Sequence, residues 1–238
     1  MKRTIVAATA IIALFVFPSC EKVVGKGPVE TETRNLSNFT GVSSAFSGKV
    51  HIRIEPVFKV EASAQRNVLD VLRTNVSNGI LYIDYKDNTW VRTREDVIVS
   101  ISMPMADYLR LSGSGNMDVI GENSVNSLDM QVSGSGSITL QKALVAGNLD
   151  ARISGSGNMT IYDGSTNHEK LQISGSGGMN FADILATSAE THTSGSGDMK
   201  VNVAQQLEAH ISGSGSVLYK GTPQVSASIS GSGKVKPY

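Results

Sequence analysis

Two aspartates and two arginines are the residues best placed by type and spacing to do chemistry. Asp129 and Asp150 share one position of a repeating segment, and Arg110 and Arg152 share another, two residues further on. A base beside a cation is what uronic-acid elimination or glycoside hydrolysis requires, because one group moves a proton while the other stabilises developing negative charge. The aspartate column, however, continues as Lys170, Glu190 and Glu208. Its charges therefore also offset one another along a solvated face. Aromatic residues make up only 5% of the chain, too few to line a long sugar-stacking cleft.

Other candidate chemistry is weaker. His192 and His210 fall in the arginine column of successive repeats, so their imidazoles are expected to stack on an outer face. Two neutral ligands without a carboxylate or thiolate beside them make a poor metal site. The Gly-x-Gly within each repeat lacks the third glycine and the strand-helix-strand context of a dinucleotide fingerprint. A calcium-binding repeat needs its acidic residue at a fixed position, whereas Asp118 and Asp198 occupy different columns. The expectation is a chain with no catalytic, cofactor-binding or metal-ligating residues.

The elements that carry these residues follow from the repeat. Ser-Gly-Ser-Gly occurs seven times, starting at Ser112, Ser133, Ser154, Ser174, Ser194, Ser212 and Ser230, with steps of 21, 21, 20, 20, 18 and 18 residues. The residue before each copy is Leu111, Val132, Ile153, Ile173, Thr193, Ile211 or Ile229, and the residue before that is polar. Five residues after each first serine stand Met117, Ile138, Met159, Met179, Met199, Val217 and Val235, with polar neighbours such as Asn116 and Asp118, Ser137 and Thr139, and Asn158 and Thr160. A period of two on both flanks means strands with one buried face. If the alternation runs through the tetrapeptide, the serines face out and both glycines face in. The glycine pairs are Gly113 and Gly115, Gly134 and Gly136, Gly155 and Gly157, Gly175 and Gly177, Gly195 and Gly197, Gly213 and Gly215, and Gly231 and Gly233. Glycine has no Cβ and tolerates positive φ, so each pair is expected to form a sharp corner.

Copies of this length stack as the coils of a solenoid, about 4.8 Å apart. The methionine column then fills the core. A disordered Gly/Ser linker has no reason to keep two apolar flanks in register, and a β-propeller of about 40 residues per blade leaves one copy over. The fold class expected is all-β: a single-stranded parallel β-helix with Gly corners over residues 112–238. Before it, residues 39–111 contain alternating segments such as "KVHIRIE" and "ILYIDYK", together with Val68, Leu69, Val71 and Leu72 at helical spacing. These are expected to form irregular β coils and one short helix that cap the array. At the other end Lys234, Lys236 and Pro237 blunt an open edge or pair with another subunit.

The N-terminus carries an address. Lys2 and Arg3 precede the apolar run Ile5 to Phe17, which is shorter than the roughly 20 residues of a membrane span. "FPSC" then places the only cysteine, Cys20, where a bacterial lipid-attachment cysteine stands, although Phe17 and Pro18 depart from the usual lipobox. An ordinary signal peptide with an incidental cysteine is the alternative. Residues 1–19 are thus expected to be a signal peptide, and residues 20–38, rich in charge, Gly and Pro, a lipid-anchored tether.

The seven "SGSG" copies, with "FKVEASAQRNVLDVLRTNVSNGILYIDYK" and "DVIVSISMP" ahead of them, resemble the head GIN domain family, which carries a provisional adhesin label in Bacteroidetes. The resemblance spans Phe39 to Tyr238 and implies a right-handed parallel β-helix on a secreted or lipid-anchored protein. It implies no catalytic residues. With zero formal net charge, nothing points to nucleic acid. The function expected is a non-catalytic binding module on the cell envelope, anchored in the membrane through Cys20, on the outer membrane, and presenting Ser/Thr/Asn rows to a glycan or other surface ligand. An assembling structural protein that forms homo-oligomers and a polysaccharide lyase or hydrolase are the alternatives. No cofactor is expected.

Overall fold

The computed structural model describes residues 21–238. Cys20 and the apolar run before it lie outside the described residues. The chain opens with β1 (Glu21–Val24) and β2 (Val29–Arg34), followed by β3 (Gly41–Ser44), β4 (Lys49–Ile54) and β5 (Lys59–Gln65). A single helical turn, α1 (Arg66–Leu69), leads to β6 (Leu72–Ser77), β7 (Ile80–Tyr85), β8 (Thr89–Arg92) and β9 (Ile98–Met103).

The segment expected to be a tether is therefore folded. β2 runs antiparallel to β5, from Val29 opposite Gln65 to Arg34 opposite Val60, and β1 pairs in parallel with β8. Sequence periodicity gave no sign of β2, since it is polar on both faces and is ordered by its backbone ladder, not by an apolar stripe. The helix is also shorter than its spacing suggests. Val71 and Leu72 are buried as expected, but Leu72 already begins β6, where the β-branched Thr74 and Val76 favour an antiparallel ladder on β7.

The repeats follow as β10 (Tyr108–Gly113), β11 (Asn116–Val125), β12 (Leu128–Gly134), β13 (Ser137–Gly155), β14 (Asn158–Ile161), β15 (Gly164–Gly175), β16 (Gly178–Gly195), β17 (Asp198–Gly213), β18 (Ser216–Lys220), β19 (Gln224–Gly231) and β20 (Lys234–Pro237). They wind into a β-solenoid of about six turns, with strands in 72% of the described residues. Register holds down the whole array: Gly113 pairs with Gly134, Gly134 with Gly155, Gly155 with Gly175, Gly175 with Gly195, Gly195 with Gly213, and Gly213 with Gly231. The shortening of the step to 18 residues is absorbed by register shifts at Phe181–Leu185 and Ala186–Ser188, far from the corner. Inside, Met117, Met159, Met179 and Met199 form one buried column, and Leu111, Val132, Ile153, Ile173 and Ile211 another.

The N-terminal coils do not stack in chain order. β3 lies in parallel between β7 and β10, and β4 between β9 and β11. Residues 41–54 are thus sandwiched beneath residues 80–103 and above the first repeat. The chain climbs past its own first coil through β5, which lies antiparallel on β9, and β6, which lies antiparallel on β7. These antiparallel strands close one end of the solenoid. At the other end β19 is exposed along its length and nothing among the described residues covers it.

Candidate binding surface

The corners define the surface. At each of them the first glycine takes positive φ, 104° at Gly113 and between 119° and 130° in the six that follow. The carbonyl of that glycine accepts from the next coil, as when Ser135 and Gly136 N–H both donate to Gly113 O at 3.0 Å. A Cβ on Gly175 would sit 2.3 Å from Gly155 O, and one on Gly177 would meet Gly157 O at 2.4 Å. Only the second glycine of each pair faces in, which corrects the expectation that both do. Gly115, Gly136, Gly157, Gly177, Gly197 and Gly215 are buried, whereas the first glycine is the bend itself and stays partly or fully open. The serines flank the bend, and from the second copy onward both lie exposed. Two serine ladders therefore run down the edge between the faces.

Ahead of the corner, the outer face of the first sheet carries the charged columns. Residues i and i+2 of a strand share a face, so the acidic column lies against the Arg/Gln/His column. Arg152 binds both aspartates, donating to Asp129 Oδ2 at 3.0 Å and Asp150 Oδ1 at 3.3 Å, while Gln131 donates to Asp129 at 2.9 Å. Each aspartate thus gives one oxygen to the same guanidinium, and the pair is tied to Arg152 across neighbouring coils. Arg110 joins no ion pair among the described residues.

Lower on the same face the imidazoles of His192 and His210 stack, with centroids 4.7 Å apart and planes within 11°. They have carboxylates beside them, contrary to the expectation from columns alone. His192 Nε2 donates to Glu190 at 2.6 Å and His210 Nε2 to Glu208 at 2.9 Å, with Lys170 at 3.3 Å from Glu190. The His192 hydrogen bond, helped by Lys170, holds the Glu190 carboxyl below the usual carboxylate range. A groove of about 410 Å³ runs between Gln172, His192 and His210 on one side and Ser174, Ser194 and Ser212 on the other. Among the described residues, no three His, Cys, Asp or Glu side chains gather as metal donors.

After the corner, the second sheet presents Asn116, Ser137, Asn158 and Asp198 in one row and Asp118, Thr139, Thr160 and Asn180 in the next. Asp118 accepts from Thr139 and lies 3.4 Å from His51, so the rows are knitted across coils. Asp198 accepts from the Ser216 amide at 2.7 Å. Both of these aspartates serve the surface lattice.

Column reading missed Glu169. It occupies the inward column of Leu149, Ala189 and Leu207, is fully buried, and neither carboxylate oxygen has a hydrogen-bond partner. Burial pushes its carboxyl well above the usual range. The repeat alignment places an acid at this apolar position, which was the available signal.

Comparison with known proteins places this geometry. A family model described as "putative auto-transporter adhesin, head GIN domain" matches residues 38–223. The structure is similar to that of "a putative adhesin" from Bacteroides fragilis, with a TM-score of 0.84 and 19% identity over 91% of this chain and 100% of the other. It is also similar to a "putative lipid binding protein" from Parabacteroides distasonis, with a TM-score of 0.75 and 24% identity over 92% and 100% of the two chains. A third, "a putative adhesin" from Parabacteroides merdae, gives a TM-score of 0.75 and 21% identity over 92% and 99%. No curated protein matches the chain.

Proposed function

Since the chain belongs to the head GIN domain family, we propose that it is a non-catalytic binding module of the cell envelope, a rigid rod that holds a surface ligand by rows of side chains. The observation that carries this reading is the engagement of the charged columns with themselves. Asp129 and Asp150 are held by Arg152, and Glu190 and Glu208 by histidines, beside two uninterrupted serine ladders. Hydroxyl, amide and imidazole groups repeated at strand spacing suit weak contacts summed over many coils, as with a glycan chain or other envelope polymer. The test is a glycan array probed with residues 21–238, alongside a turnover assay on acidic polysaccharides. Binding to extended glycans without turnover is expected.

The reading includes export and a lipid anchor at Cys20 on the outer membrane. Cys20→Ala should release the protein into the soluble fraction; a wild type that takes up no fatty acid and is already soluble contradicts the anchor.

End-on assembly is a second reading, favoured by the open last coil, where Val225 and Ile229 are 37% and 43% exposed. Because antiparallel strands close the other end, such pairing is tail to tail and stops at a dimer. Sedimentation over a range of concentrations decides between a monomer and that dimer.

A further inference from the structure

The two-stranded ribbon of β1 and β8 stands apart from the large sheet and has an unusual outer face. Lys22 pairs with Trp90, Val23 with Val91 and Val24 with Arg92. Alternation turns Val23 and Val91 towards the core and leaves Lys22, Val24, Trp90 and Arg92 outside. Trp90 is 52% exposed and Val24 42%, with Lys22 Nζ 5.2 Å from the indole centroid. Lys26 and Arg94 flank the ribbon and are exposed, against Glu21 and Glu95. None of Lys22, Lys26, Arg92 and Arg94 joins an ion pair among the described residues. An exposed indole ringed by unpaired cations is the composition that settles at a bilayer interface, where the ring lies at headgroup level and the cations meet phosphates.

We propose that this ribbon docks on the phospholipid surface by its outer face, with Trp90 at headgroup level and Lys22 and Arg92 towards the phosphates. The proposal rests on the lipid anchor at Cys20 and adds the face that meets the bilayer. Cys20 immediately precedes Glu21, the first residue of β1, and a chain spans at most about 3.6 Å per residue. With no tether between them, acylation at Cys20 brings β1 to the headgroups. The positive charge of the ribbon complements anionic lipid.

Trp90 is the only tryptophan in the chain, so its emission reports on this face alone. The experiment uses the full chain produced in a bacterium, with the fatty acid on Cys20 measured by mass spectrometry. The protein is then reconstituted into vesicles of phosphatidylethanolamine and phosphatidylglycerol. The expected result is an emission shift to the blue, quenching by acyl-brominated lipid, and several-fold weaker acrylamide quenching than in detergent-free solution after release of the anchor. Lys22→Glu with Arg92→Glu should restore acrylamide access while acylation and the far-ultraviolet circular dichroism stay unchanged. An acylated protein whose Trp90 stays open to acrylamide and untouched by brominated lipid overturns the docking and leaves the anchor standing. If no fatty acid is found, the anchor fails, and flotation with the same vesicles decides the ribbon. Flotation that is lost in Trp90→Ala and in the charge-reversed pair supports it, and absence of flotation overturns it.

Discussion

At the residue scale, the corner glycines and Glu169 make opposite demands. Gly175 has φ of +128° and a carbonyl 2.3 Å from where a Cβ would stand. Valine there meets both a forbidden backbone region and a backbone atom that cannot move without disturbing the coil above. Gly175→Val is expected to cost roughly 2 to 4 kcal/mol in urea denaturation, whereas Ser174→Ala, exposed beside it, should stay within about 0.5 kcal/mol. Equal effects would refute the corner assignment. Glu169 is the reverse case, a carboxyl that the fold tolerates without rewarding. Its folded-state pKa lies above its unfolded one, so the folded state binds the extra proton and stability falls as pH rises from the unfolded value of about 4.3 towards the folded value. Glu169→Leu should flatten that slope and raise stability at neutral pH by roughly 1 to 3 kcal/mol. A loss of stability would show that the carboxyl has a partner. Glu169 escaped notice although its column partners Leu149, Ala189 and Leu207 are apolar, and the Glu190–His192 and Glu208–His210 pairs lie along the strand, where reading down columns does not look.

At the element scale, what the sequence made legible is what repeats. Seven tetrapeptides with alternating flanks specify strand, corner and register together, because a slip by one residue would turn Met117 and Ile138 to solvent. The strands that escaped notice are those whose order comes from elsewhere. β2 has no apolar stripe, and the insertion of β3 and β4 between later coils depends on pairings that leave no local trace. Amide exchange distinguishes a folded β2 from a tether. A peptide covering residues 29–34 should exchange orders of magnitude more slowly than free chain and should lose its protection in Ala62→Pro, which breaks β5 between β2 and β9. Immediate exchange in the wild type would contradict the ladder.

At the scale of the whole molecule, one end is closed by antiparallel strands, the other is open, and the sides carry polar rows that repeat with each coil. In the proposed binding role the contacts are spread over many residues, so attachment should depend on the number of coils. The direct measurement is attachment to purified envelope polysaccharide, together with turnover of it. It compares the wild type, Asp129→Ala with Asp150→Ala, and a chain lacking residues 155–174, in which Ser154 joins Gly175 and the corner keeps its register. The binding-rod account predicts no turnover by any of them, a modest loss of attachment in the double mutant, and a loss of tenfold or more when the coil is removed. Cleavage by the wild type that the aspartate pair abolishes, with attachment indifferent to the missing coil, would contradict it.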